Sequence, residues 1–156
     1  MSSTITLHFF KRAFTLLELI LVIGIITILS VAGVGSYRGF GKSSQIKSSA
    51  QIITEDLKYA QSKAMIGSGG YKWGIHFVNS GTQNYYETFS TQTTYANGTT
   101  TATTTLSDKI IFSDPSGASK DIIFSKISGN TTATSVSITS EGLTKTINVS
   151  AIGTVY

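Results

Sequence analysis

"KRAFTLLELILVIGIITILS", residues 11–30, decides how the rest of the chain is read. From Phe14 to Gly35 the only ionisable side chain is Glu18. A helix of about 22 residues reaches roughly 33 Å, enough to cross a hydrocarbon core. A carboxylate in such a segment costs a few kcal/mol or more, so its place four residues past Phe14 needs a reason. Three readings fit the composition. The segment is a secretory signal peptide with Lys11-Arg12 as its basic region; or it is a plain anchor whose Glu18 reaches back to the interface; or Glu18 has a role of its own. The apolar run is long for a signal peptide, and Ser30-Val31-Ala32 is only a fair cleavage match. Flanking charges do not orient it, because Lys11 and Arg12 precede the run while Arg38, Lys42 and Lys47 follow it.

The whole chain has 156 residues, room for one domain and an appended element. It has no cysteine, so no disulfide framework and no thiolate metal site. Its net charge is +4, and without Lys11 and Arg12 it is about +2, too little to argue nucleic acid from charge alone. After Gly41, Ile46, Ala50, Ile53, Leu57, Ala60 and Ala64 recur every three or four residues and predict a helix with one apolar face. Lys47, Glu55, Lys58 and Ser62 fall on its solvated side, and Gly67 ends it.

Beyond residue 70 the period becomes two. Tyr71, Trp73, Ile75 and Phe77 alternate with smaller or polar residues and predict a strand, with a turn at 79–81 and a return strand at 83–89. The stretch 90–105 is poor in charge and in apolar residues and reads as a loop or polar excursion. "KIIF" (109–112) and "DIIFSKI" (121–127), joined by the turn 114–117, read as another pair. Segments 134–139 and 144–150 predict a hairpin, and "GTVY" (153–156) a last short strand. The expected fold class is α+β: a long N-terminal helix laid on an antiparallel sheet.

Chemical motifs are sparse. His8 lies ahead of the apolar run, and His76, on a strand, is expected at the surface or half-buried. Neither belongs to a cluster with metal-ligand spacing. Asp108, Asp114 and Asp121 are spread over turns without a calcium-loop pattern. "GFGKSS" (39–44) has the wrong spacing for a phosphate loop. No catalytic set, cofactor site or metal site is expected.

"AFTLLELILVIGIITILSVAG" (13–33) resembles the class III signal of type IV pilins and type II secretion pseudopilins. The resemblance implies a leader at 1–13, a membrane-spanning and assembly helix at 14–35, an amphipathic continuation at 36–67 and a β-rich head at 68–156 outside the cytoplasm. It implies that a prepilin peptidase cuts between Ala13 and Phe14 and methylates the new Phe14 amine. It also gives Glu18 a role in assembly. In a bundle of parallel helices, a neighbour's Phe14 amine sits beside this carboxylate, and one buried ion pair favours one sliding register. Pairing with the amine of its own chain is the plainer arrangement. The chain departs from the family in having Ala13 where Gly is usual and no proline near Gly35.

The segments "EDLKYAQSKAM" (55–65) and "TKTINVSAIGTVY" (144–156) resemble the GspH/FimT branch, with Gln61 where Arg is common. That branch implies a non-enzymatic minor pseudopilin of a type II secretion pseudopilus. The implied partners are other pilin or pseudopilin subunits, the prepilin peptidase, an inner-membrane assembly platform and the lipid bilayer. Two alternatives remain open. One is a FimT-like minor type IV pilin, in which Lys109, Lys120, Lys126 and Lys145 are the candidates for contacting nucleic acid. The other is a signal-anchored surface protein that does not assemble.

Overall fold

The computed structural model describes residues 14–81 and 83–156, with the backbone alone described over 31–40. The expected leader, 1–13, lies outside these residues. Helix α1 runs over Leu16–Ile66. The chain divides into two compact units, one up to Gly39 and one from Phe40 to Tyr156.

In the second unit, α1 contributes the predicted stripe. Ile46, Ile53, Leu57, Ala60 and Ala64 are all buried, and Ala50 packs beside them. Lys47, Glu55, Lys58 and Ser62 lie on the outer side as expected, all four exposed. The helix stops where Gly67 takes a left-handed conformation (φ 69°), which a residue without Cβ adopts at little cost.

Seven strands follow: β1 (Lys72–Asn79), β2 (Asn84–Thr91), β3 (Thr99–Thr105), β4 (Ile111–Asp114), β5 (Ser119–Phe124), β6 (Thr134–Ser140) and β7 (Leu143–Val149). They form two antiparallel sheets, β3-β2-β1-β5 and β4-β6-β7. The larger sheet sets Trp73, Ile75, Phe77, Tyr86, Ile122 and Phe124 into one core with the helix stripe. The smaller sheet adds Phe112, Val136, Ile138, Ile147 and Val149 to the same core. Alternation along each strand explains the choice, since every second side chain meets the helix side. Tyr86 donates its hydroxyl to Asp56 Oδ2 at 2.5 Å, tying β2 to α1.

The structure corrects four expectations. The stretch 90–105 is not a floppy excursion: it holds a short 3-10 turn, Tyr95–Asn97, and the whole of β3. Its order comes from partners rather than from its own apolar content. Thr99–Thr105 pairs with β2, and Tyr95 lies flat on His76, ring centroids 3.6 Å apart and 5° from parallel. Tyr95 also meets Phe89 edge-on at 5.0 Å, and Phe89 is fully buried although it lies outside the main core. This second, smaller apolar cluster sits on the far face of the sheet. Gly74 makes room for it, since a Cβ there would meet Phe89 Cζ at 3.1 Å and the Ile122 carbonyl oxygen at 2.5 Å.

The second correction is to pairing. β4 and β5 are not partners: β4 pairs with β6, and β5 pairs with β1. Third, 153–156 contributes a single bridge, Val149 to Val155, rather than a strand. Fourth, His76 is buried (9% exposed), covered by Tyr95 and bonded through Nδ1 to Asp121 Oδ1 at 2.5 Å.

Candidate assembly site

The first unit has a well-defined start. Thr15 precedes the helix, and its Oγ1 accepts the Glu18 backbone N–H at 3.2 Å. Thr15-Leu16-Leu17-Glu18 therefore has the order of a capping box, a Ser or Thr followed three residues later by Glu or Gln. Glu18 lies in the first turn, where a negative charge also suits the exposed N–H groups of the helix end. This local role was legible in the sequence as a capping pattern and is independent of any neighbour. Phe14 lies just before the helix, 74% exposed. Ala13 lies outside the described residues, so the proposed cut is framed on one side only.

From Leu16 to Ser30 the helix is apolar on all sides and exposed on all sides. Leu17, Ile20, Val22, Ile23, Ile26 and Leu29 span the full circumference, and each is 42% exposed or more. A helix apolar all round is a helix meant to be surrounded. Its two hydroxyls already satisfy themselves: Thr27 Oγ1 donates to the Ile23 carbonyl at 2.8 Å, and Ser30 Oγ to the Ile26 carbonyl at 2.7 Å. Among the described residues no helix is long and apolar enough to cross a membrane. The described run, Leu16–Ser30, is about 22 Å long. Residues 31–35 of the expected span are among those with the backbone alone described.

In the head, the two segments that carried the branch resemblance meet. Gly153, left-handed at φ 85°, lies against Gln61 and Gly129: a Cβ there would stand 2.3 Å from Gln61 Nε2 and 2.2 Å from the Gly129 carbonyl oxygen. Gly129 (φ 67°) in turn lies against Met65. The late helix and the closing turn are thus one packed unit, locked by glycines.

The polar row across the far face of the larger sheet runs Thr103, Glu87, His76, Asp121 over four neighbouring strands. Glu87 accepts the Tyr95 hydroxyl and the Thr103 hydroxyl, the latter at 3.2 Å. The bond to Glu87 raises the Tyr95 pKa above its ordinary value. Every member of the row is thereby held in a hydrogen bond that fastens one strand or loop to another. Among the described residues no group of three or more His, Cys, Asp or Glu is placed to hold a metal ion.

The four candidate lysines do not converge. Lys120 is committed to Asp114, with Nζ 2.6 Å from both carboxylate oxygens, and also donates to the Ser135 carbonyl at 2.8 Å. Lys126 lies beside the glycines that end α1, whereas Lys109 lies near Ser107, which bonds Gln45 at the other end of the head. Lys145 stands on β7 opposite Ile138. At that other end Lys42 pairs with Glu141. The bond to Lys42 chiefly lowers the Glu141 pKa, with the Lys42 and Lys109 charges acting in the same direction.

Within the second unit, a helix packs against two antiparallel sheets. The head is similar to a solved structure, that of the minor pseudopilin EpsH from the type 2 secretion system of Vibrio cholerae. The match has a TM-score of 0.54 at 14% identity, over 72% of this chain and 94% of that one. At that identity the likeness is one of fold. No family model matches the chain, and no curated protein matches its sequence.

Proposed function

We propose that this chain is a minor pseudopilin, a non-enzymatic subunit of a type II secretion pseudopilus. A prepilin peptidase removes 1–13 and methylates Phe14. The subunit waits in the inner membrane with its head outside the cytoplasm, and the assembly platform then packs it into a periplasmic filament. There the apolar helix exchanges lipid for neighbouring helices, and Glu18 pairs with the Phe14 amine of an adjacent subunit.

The observation that carries this reading is the helix Leu16–Ser30, exposed and apolar on every side. Such a surface is unstable in water. At roughly 25 cal/mol per Å² of apolar area removed from water, covering it with lipid or with other helices is strongly favoured. The pilin-like head, the capped helix start and the basic residues before Phe14 agree with this reading.

Mass spectrometry of the protein extracted from its own membranes tests it. The mature chain should begin at N-methyl-Phe14. A chain beginning near Gly33 would establish an ordinary signal peptide and remove the basis for assembly through this helix.

A further inference from the structure

One end of the head gathers the last turn of α1, the turn 126–129 and the turn 150–153. Ile127 donates its backbone N–H to the Ala64 carbonyl at 2.9 Å, and Thr131 donates to the Ala151 carbonyl at 3.0 Å. This end carries four large aliphatic side chains in solvent: Met65 (50% exposed), Ile66 (77%), Ile127 (72%) and Ile152 (69%). Ile127 is also left-handed, at φ 71°. A β-branched residue in that conformation is a true backbone outlier, and here the strain presents an isoleucine to water instead of burying it.

The segments that form this end carry lysines and no carboxylate. No Asp or Glu occurs in 57–86, 122–140 or 142–156. Lys63, Lys72 and Lys126 belong to these segments, with Lys63 poised 5.8 Å over the Trp73 ring. The opposite end holds Lys42, Lys47 and Lys109 against Asp108 and Glu141, and Glu141 is already paired with Lys42. Stacking one copy end-to-end on another would therefore set a lysine-rich end against one with three lysines and two carboxylates, which supplies no carboxylate-rich rim.

We propose that the end of the head formed by Met65, Ile66, Ile127 and Ile152 docks a different subunit, through an apolar surface on that subunit rimmed by carboxylates. This rests on the pseudopilin reading and sharpens it: the chain takes a position between unlike neighbours and does not polymerise on itself through this face. An apolar centre with a ring of complementary charge is the ordinary anatomy of a specific interface.

The chain has no cysteine, so single cysteines report cleanly. The full-length protein is expressed from its own locus with Ile152→Cys and labelled in cells with a thiol-reactive photo-crosslinker, which captures any neighbouring C–H bond. In a parallel strain, Ile25→Cys in the apolar helix reports filament packing. The expected result at Ile152→Cys is one heterologous product whose crosslinked peptide carries Asp or Glu among apolar residues. It should be lost with Lys126→Glu and with Ile127→Gly. Ile127→Gly relieves the left-handed strain, so the thermal midpoint should hold or rise while the crosslink goes, which separates docking from folding. A product with another copy of this chain, a partner peptide without carboxylates, or no product would overturn the proposal. Retention of labelled DNA by the wild-type head and not by Lys126→Glu would also overturn it, in favour of a nucleic-acid face. If Ile25→Cys crosslinks and Ile152→Cys does not, the docking inference fails and the assembly reading stands. If neither crosslinks, the assembly reading itself fails.

Discussion

Helix α1 offers two stretches of different apolar pattern and opposite fate. From Ile46 to Ala64 most apolar residues form one stripe, Ile46, Ile53, Leu57, Ala60 and Ala64, which the head's own sheets bury, while Ile52 and Tyr59 stay half exposed. From Leu16 to Leu29 they lie on all faces, and nothing in the described chain covers them. The difference is one of pattern as well as of hydrophobicity. A stripe can be satisfied by one sheet, whereas a full circumference demands either lipid or a ring of other helices. The first stretch therefore belongs to folding, and on the function proposed above the second belongs to assembly. Substitutions should separate the two cleanly.

The largest effect on head stability is expected inside the stripe. Leu57 is fully buried, and Leu57→Ala should cost about 2–5 kcal/mol through lost burial and the cavity left behind. The counterpart Leu21→Ala, at a position 56% exposed, should leave the head unchanged. Thermal unfolding of both variants in the same detergent, followed by near-ultraviolet circular dichroism of the head aromatics, makes the comparison. Similar losses in both would mean that the two stretches are not energetically separate.

Glycines give the next contrast. Gly153→Ala adds a Cβ to a left-handed residue, against the Gly129 carbonyl oxygen, and should destabilise the head by on the order of 2 kcal/mol or more. Gly24→Ala meets nothing within 4 Å and should leave the head's unfolding curve where it is. A tolerant Gly153 would show that the closing turn does not lock onto Gln61.

A smaller effect is expected at the join of helix and sheet. Burial, then the bond to Asp56, raises the Tyr86 pKa well above its ordinary value near 10. Because the folded pKa lies above the unfolded one, this residue's contribution is fully present below about pH 10. It is lost as pH rises beyond that point. Tyr86→Phe should cost about 1 kcal/mol at neutral pH. It should also flatten the fall in stability on the alkaline side. Unfolding curves from pH 7 to 11 on both proteins check the sign; an unchanged alkaline slope would place its cause in other tyrosines and lysines.

The sequence made these two stretches of α1 easy to tell apart, because period and composition are local properties. The hairpins β1–β2 and β6–β7 were legible for the same reason, each joining neighbouring segments with clear alternation. What was hidden depends on distant partners. Strand β3 has almost no apolar side chain, and it is ordered by β2 and by Tyr95 resting on His76. Strands β4 and β5 look like a hairpin because they are adjacent in sequence, yet each pairs with a different sheet. His76 appeared isolated because its cover, Tyr95, and its acceptor, Asp121, lie 19 and 45 residues away. At the assembly site, Glu18 drew notice as a charge in an apolar run, while its second relation, to Thr15, was written in the same four letters. Gln61 and Gly153 were singled out through separate segments, and only the fold shows them touching.

The smallest effect on the head should come from Glu18, and it should be none; on the proposed function its effect falls on assembly. Two physical accounts of this residue now compete, a cap for its own helix and a charge for its neighbour, and Glu18→Gln separates them. Glutamine preserves the capping-box pattern but removes the charge. The measurement is photo-crosslinking from a thiol-reactive probe on Ile25→Cys to any neighbouring subunit in membranes, scored beside total membrane-bound protein, for wild-type Glu18 and for Glu18→Gln. If the carboxylate pairs with a neighbour's Phe14 amine, Glu18→Gln keeps its membrane level and loses most of the crosslink, since the amine is left buried and unpaired. Full crosslinking by Glu18→Gln would contradict that account and leave Glu18 as the cap of its own helix.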